Sequence, residues 1–548
     1  MPETPFGSPA RRSEIIELAA LEGHDADVPS NVGFIEEHEK AHHRKHLPEA
    51  ANSTDVDLEK DLEKNGDTAS LSSEDDVAGE AAAEAEDPNV VWWDGPTDPE
   101  NPLNWSFFKK WGTVGIVSAL TFLTPLASSA FAPGVPEVMA EFHSTSQLLE
   151  SFMVSVYVLG FAFGPLIFAP LSEMYGRLPI YHICNILFII FTVAAAVSTN
   201  MSMFVVFRFF MGSAGGAPLA LGGGTIADLI SREQRGTAMA IWLLGPTMGP
   251  CIGPIIGGFL TQAKGWRWNF WLIAILTGGF ACISFVLMRE TSAPVILARK
   301  AKRLRKETGN PNLRSKLESK LSGKELFWLS IIRPTKMLTR SWICFLISLY
   351  VAITYAYLYI LFTTFTSVFE QQYGFSGSVV GLSFLGLGIG SLSGQFVFTW
   401  AGNKTATKHI KAGDFKAEHR LEIMLPGGFF IPIGLFWYGW SVQAGVHWIV
   451  PILGTFFVGF GLLLTFMPAN TYLVEVFTVH AASAMAANTV LRSIAASLLP
   501  LSSQQMYKAL GYGWGNSLLG FVSLALIPIP FIFRKYGERI RKSSKAIA

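Results

Sequence analysis

Residues Leu244–Leu260 read LGPTMGPCIGPIIGGFL. The stretch carries no charge, so it can lie in hydrocarbon. Gly245, Gly249, Gly253 and Gly257 recur every four residues and share one helical face, which Gly258 broadens. A row of glycines lets a neighbouring backbone come close, as small-xxx-small packing does in membranes. Pro246, Pro250 and Pro254 occupy the same turns. Each removes an N–H and bends the helix, and a membrane bundle tolerates the break because neighbours re-satisfy the freed groups. The stretch predicts a kinked, tightly packed transmembrane helix. It further suggests a helix that rocks against a neighbour during transport.

The rest of the chain agrees with a membrane reading. Of 548 residues, 50% are hydrophobic and 15% are charged, against about 25% charged in soluble domains. The zero net charge hides an asymmetry. Residues 1–100 hold 7 Lys+Arg against 26 Asp+Glu, and the remainder holds 35 against 16. Residues 1–105 therefore read as a disordered, acidic tail with too little apolar surface to offset ordering. Cys184, Cys251, Cys282 and Cys344 all fall in apolar runs. They read as small packed side chains and not as a disulfide or metal set. No cleavable leader is read, because the first adequate apolar run begins near Trp111.

Twelve apolar stretches are long enough to span. They cover 111–132, 149–169, 180–198, 202–228, 237–261 and 268–288, then 342–366, 378–400, 423–441, 447–470, 482–502 and 515–534. The predicted architecture is all-α, with transmembrane halves at 106–288 and 342–534. A basic connection at 289–341 separates them, and a short tail covers 535–548. Loops after even-numbered spans carry Arg232, Arg235, the run Arg299–Lys306, Lys404, Lys408, Lys411, Lys416 and Arg420. The opposite loops carry only Lys264, Arg267 and Lys508. Both termini are expected to be cytoplasmic.

No Walker loop, HExxH or paired-cysteine motif occurs, so ATP-driven transport, a metal and a cofactor are not expected. Nucleic acid is not an expected partner, and the chain is expected to act as a monomer among membrane lipids. Charges at membrane depth remain, and these are functional by default. Arg208 sits in MFVVFRFFMGSAGGAPLALGGG, and its alternatives are a permanent bond to helix carbonyls or a fixed charge tuning a proton site. Asp228 ends the same span and can pair with Arg232 at i,i+4. Glu173 and Arg177 share that spacing in APLSEMYGR, with Gly176 between them. Arg492 lies in AANTVLRSIAASLLPL and could pair with Glu475. Tyr350, Tyr355, Tyr357 and Asn470 are candidates for lining a cavity that binds amphipathic or cationic compounds by area and cation–π attraction.

The run Gly249-x3-Gly253-Pro254-x2-Gly257-Gly258 resembles the helix 5 antiporter signature of major facilitator superfamily exporters. The chain as a whole resembles the fungal 12-spanner drug:proton antiporters. NPLNW before Lys109, Glu290–Asn310 and Met467–Pro500 carry that likeness further. The resemblance implies a facilitator fold and alternating access. It also implies proton coupling at Arg208, with Asp228 carried beside it as a second candidate. Glu173, Gly176 and Arg177 match the core of the loop 2–3 latch signature, although Ala169 and Met174 depart from it. The implied function is proton-coupled efflux of amphipathic small molecules across a plasma membrane. The alternatives are a nutrient symporter and a membrane sensor that moves nothing.

Overall fold

The computed structural model describes residues 88–318 and 322–543. The greater part of the expected disordered tail, residues 1–87, lies outside the described residues. Among those described, the chain is helical apart from two short strands, β1 (Val90–Val91) and β2 (Arg314–Ser315).

The first half comprises α1 (Phe107–Ser129), the short α2 (Val135–Glu141), α3 (Gln147–Tyr175), α4 (Arg177–Ala196), α5 (Met201–Leu229), α6 (Arg232–Lys264) and α7 (Arg267–Leu287). The connection carries α8 (Ala293–Thr308) and α9 (Gly323–Arg340). The second half comprises α10 (Trp342–Tyr373), α11 (Gly377–Ser383), α12 (Leu385–Lys411), α13 (Met424–Gln443), α14 (Ile449–Phe477), α15 (Ala481–Leu498) and α16 (Ser503–Leu526), followed by α17 (Pro528–Ser543).

Among the described residues, eleven continuous helical stretches are long and apolar enough to cross a membrane. The last, Ala481–Arg541, runs over 61 residues. As one rod it would measure about 90 Å, against about 30 Å of hydrocarbon. The 3-10 turn at Leu499–Ser502 divides it, and α15 and α16 each make a crossing. The twelve expected spans are thereby recovered. Helix resumes at Ser503, on a polar stretch that includes Gln504, Gln505 and Lys508, ahead of the expected start of the last span at 515. The internal break of α16 falls at Gly511, where φ is 73°.

Caps explain several starts. Side chains of Ser146, Asn200 and Ser341 accept from the backbone N–H groups of Leu149, Met203 and Cys344. Within the first half, α1 packs on α6 and α3 on α5; within the second, α14 packs on α12 and α13, and α10 on α15. The halves meet where α3 lies on α15 and α6 lies on α11 and α12.

The glycine face of α6 packs within its own half. A Cβ on Gly249 would lie 2.8 Å from the Leu126 N, and one on Gly253 would lie 2.9 Å from the Leu126 O. One on Gly257 would fall inside the Ala130 carbonyl. The partner of the row is thus the α1 backbone. The other side of α6 faces the second half, and there the glycines belong to the neighbour. Gly388 leaves room for Cys251, and Gly381 for the Pro254 carbonyl.

In the half of the bundle's depth away from the termini, polar bonds join the halves. Ser128 and Tyr359 hydroxyls are 2.8 Å apart, Thr366 donates to the Ala132 carbonyl at 3.2 Å, and Ser367 donates to Glu150 at 3.2 Å. At the terminal end, α9 lies against both α3 and α15.

Residues 88–105, expected as part of the disordered tail, are instead ordered against the connection. β1 pairs in parallel with β2. Lys300 is 4% exposed, and its Nζ donates to Asp94 at 2.6 Å, Asp98 at 3.4 Å and the Trp92 carbonyl at 3.1 Å. Arg303 pairs with Glu100. The acids of the entry segment therefore cover a face of α8 that, as a basic amphipathic helix, could otherwise lie on lipid. Burial alone would raise the Asp98 pKa. Hydrogen bonds from the Asp94 and Glu100 N–H groups and from Lys300 outweigh it and hold the carboxyl below its ordinary 3.8. A depressed carboxyl stabilises the fold above its unfolded pKa and loses that contribution only as pH falls through the folded value. Hydrogen exchange of residues 88–105, corrected for intrinsic rate, should therefore be flat from about pH 5 to about pH 8. Lys300→Met should remove about 1–3 kcal/mol of that protection throughout that pH range; unchanged protection would refute the clasp.

Candidate functional site

Two groups of charges stand out against the apolar bundle, one at its terminal end and one at mid-depth.

At the terminal end, α3 ends and α4 begins at Gly176, whose φ is 104°. That conformation favours glycine. A Cβ there would also run into the Glu290 carboxylate. Glu290 sits on the first turn of α4 and accepts from the Arg177 N–H at 2.8 Å and the Leu178 N–H at 3.2 Å. It satisfies donors that a helix start leaves free, in a field that favours an anion. The Arg177 guanidinium lies 3.6 Å from Asp228 and donates to Ser172 Oγ at 2.6 Å. Thr291 also reaches Asp228, at 3.5 Å.

The acid in contact with Arg177 is thus not the one expected from the acid–Gly–Arg spacing. Glu173 is exposed and forms no ion pair with Arg177 among the described residues. Asp228 from α5 is the carboxylate beside the Arg177 guanidinium. Asp228 faces Arg177; the expected Asp228–Arg232 pair falls on a side chain, that of Arg232, outside the described residues. Glu290 was not singled out from sequence. Its signal was an acid immediately after a span, in the RETSAPV stretch, with a free helix N-terminus across from it. Replacing Glu290 by Gln should lower thermal stability by about 1–2 kcal/mol. Gly176→Ala should cost more, because it strains the backbone and displaces the carboxylate. Thermal unfolding of both purified variants checks this order.

At mid-depth lies Arg208, fully buried at 0% exposure. Its Nη1 donates to the Ala127 carbonyl at 3.0 Å and its Nη2 to the Ser128 carbonyl at 3.2 Å. Its Nε donates to the Met153 carbonyl at 3.2 Å, and Nη2 also reaches the Val154 carbonyl at 3.5 Å. Ala127 and Ser128 belong to the last turn of α1, whose carbonyls have no helical donor. Arg208 therefore caps α1 where the helix dipole is negative. The rings of Tyr157, Phe131 and Phe270 surround it at 4.9, 5.3 and 5.8 Å. Arg208 and Asp228 do not form one site. They lie on one helix, separated by about 30 Å of rise.

Arg492 is the second deep cation. The expected partner, Glu475, pairs instead with Arg420 at 2.7 Å. Glu475 lies in the last turn of α14, at the terminal end, while Arg492 is well inside α15. Arg492 stacks over Tyr355 at 4.8 Å and Phe466 at 5.2 Å. Its buried Nε has no hydrogen-bond partner among the described residues. Close by in sequence, Asn488 donates to Asn470 at 2.7 Å, and Asn470 donates to the Phe466 carbonyl.

Of the expected cavity residues, Tyr355 and Asn470 remain partly exposed. Tyr350 and Tyr357 are buried in helix packing. Tyr350 lies against Gly428 of α13, and Tyr357 donates to the Leu519 carbonyl of α16. The two lie on the face of α10 turned to its own half, so neither lines an inter-half space here.

The sequence profile of the Major Facilitator Superfamily matches residues 117–500. The chain belongs to that superfamily, and it is a multi-pass membrane transporter. It is 55% identical over 484 residues to the MFS-type transporter penM of Penicillium rubens, covering 88% of this chain and 95% of that one. It is 51% identical over 461 residues to the efflux pump radE of Floropilus chiversii, covering 84% and 86%. Among solved structures, it resembles the xylose transporter XylE from E. coli in a partially occluded inward-open conformation. The TM-score is 0.59 at 16% identity, covering 78% of this chain and 97% of that one. That last likeness concerns the fold alone.

Proposed function

We propose that this transporter exports amphipathic small molecules, drugs, toxins or secondary metabolites among them, in exchange for protons by alternating access. It would act in a plasma membrane with both termini cytoplasmic. The observation that supports this most directly is the division of labour on α6. Its glycine row locks it to α1 inside one half, while its opposite side meets the other half through Gly381 and Gly388. A stiff half with a thin seam of small residues can part as a unit. A relative 51% identical over 461 residues carries the name efflux pump, which agrees in direction.

The roles divide by depth. Arg177, Asp228 and Glu290 hold the terminal ends of α3, α4 and α5 together and would act as the conformational latch. Arg208 carries no exchangeable proton near neutral pH, so its part in coupling is a fixed charge. Asp228 is the carboxylate on the same helix that can take a proton.

The reading is tested with purified protein in proteoliposomes. An imposed proton gradient should drive accumulation of exported compounds, with proton flow in the opposite direction. Proton and compound moving together would instead establish a symporter, and movement of nothing across a broad panel would establish a sensor.

A further inference from the structure

We propose that the compounds handled by this transporter include aromatic anions, and that Arg492 is the residue that recognises their negative charge. The proposal deepens the export reading and rests on it for the word transport, but not for the binding itself.

The charge inventory carries the argument. Every carboxylate on the described membrane-crossing helices lies in a first or last turn. Glu150 opens α3, Glu173 closes it, Asp228 closes α5, Glu233 is the second residue of α6, Glu370 closes α10 and Glu475 closes α14. Mid-depth positions hold two cations, Arg208 and Arg492, and no acid. Arg208 is fully occupied by four carbonyl oxygens and three rings. Arg492 has neither a carboxylate nor a carbonyl among the described residues; its contacts are the rings of Tyr355 and Phe466. A guanidinium at the bilayer centre costs about 2.5–3.5 kcal/mol or more unless something answers it. A cationic compound would meet only repulsion there, whereas an anion supplies the missing counter-charge.

The position is suited to a ligand. Tyr355 lies one turn before Tyr359, which is fully buried and bonded across the halves to Ser128. The Tyr355 and Tyr359 rings are 5.5 Å apart. The partly exposed side chains at this level, Tyr355, Phe466, Asn470 and Arg492, therefore border the space between the halves, just on the terminal side of the closed seam. Tyr355 and Phe466 stack with an interplanar angle of 25° and offer a flat bed. The guanidinium edge offers a planar fork matched to a carboxylate or sulfonate. The buried Asn488 Oδ1, also unpartnered, adds an acceptor for a hydroxyl or amide on the same ligand.

The test is equilibrium binding to the full chain in phosphatidylcholine nanodiscs, with empty discs subtracted. Two fluorescent probes differ only by a sulfonate: 1-anilinonaphthalene-8-sulfonate and the neutral N-phenyl-1-naphthylamine. The native chain should bind the sulfonate more tightly. Arg492→Gln should weaken the sulfonate about tenfold or more and move the neutral probe by no more than about twofold, as expected for loss of one charge-assisted bond. Arg492→Lys, which keeps the charge without the fork, should fall between. Tyr355→Leu and Phe466→Leu leave the charge in place and should weaken both probes together, which keeps the aromatic bed testable if Arg492→Gln does not fold. Equal loss of both probes in the Arg492 variants would overturn the proposal, since Arg492 would then only shape the bundle. So would an unchanged sulfonate affinity, or a native preference for the neutral probe. Binding needs no gradient. Intact sulfonate selectivity without gradient-driven movement would refute the export reading alone, and export without selectivity would refute the anion assignment alone.

Discussion

Gly257→Leu is expected to abolish folded protein. A single Cβ at this position already falls inside the Ala130 carbonyl, and the obstacle is backbone that no rotamer change can move. Overpacking a core with a movable neighbour costs about 1–3 kcal/mol; here α1 and α6 would have to separate along the whole glycine row. Gly253→Leu should act alike, because Ser129, Leu126 and Ala130 close on it. The control lies on α7, where Gly278 and Gly279 have open space around a Cβ. Gly279→Leu should therefore leave the yield and thermal stability of purified protein unchanged. Gly388→Leu should behave in a third way. Its neighbour, Cys251, belongs to the other half, so the variant can fold with the seam parted, and a thiol reagent should then reach Cys251 faster than in the native chain. Equal yields for Gly257→Leu and Gly279→Leu, measured by size-exclusion chromatography, would refute the backbone-to-backbone account.

Arg208→Ala should have the second largest effect. It strips the donors from the last-turn carbonyls of α1 and from α3, in a medium with little else to bond them. With hydrogen bonds to charged groups worth about 1.5–3 kcal/mol each and not additive, the loss should be at least about 3 kcal/mol. Arg208→Lys keeps the charge but cannot spread donors over two helices. It should fold less stably than the native chain and transport with an altered pH profile. Thermal unfolding and proton-driven transport, normalised to folded protein, read the two roles separately. Native stability in Arg208→Ala would refute the capping of α1. Native transport at every pH in folded Arg208→Lys or Arg208→Ala would refute a part in coupling.

The glycine row shows how far the sequence could be read. Its spacing declared a face with no side chains and therefore a close helix contact. It could not name the neighbour, because any backbone of suitable curvature fits a bare face. The structure chose α1, inside the same half, and moved the inter-half seam to the opposite side of α6. The charges followed a similar pattern. Arg208 was conspicuous because a deep cation is costly wherever it points. Its partners are carbonyls at the end of another helix, and backbone carbonyls have no sequence signature.

Pairing by helical spacing succeeded least. Glu173–Arg177 satisfied the i,i+4 rule, and Glu475–Arg492 satisfied charge balance. In the folded chain Arg177 turns to Asp228, and Glu475 turns to Arg420. Local spacing gives a weak preference at an exposed helix end, and a partner delivered by another helix at the right depth prevails. The sequence by itself determined the membrane class, the twelve crossings, the charge asymmetry between residues 1–100 and the remainder, and the residues too costly to be accidental. Those follow from composition and period, which are local. Only the tertiary structure decided that the entry segment clasps α8, that Glu290 caps α4, and that Arg492 is left without a counter-charge beside two aromatic rings. Each of these depends on which helix ends meet at which depth, and that is fixed by packing over the whole bundle.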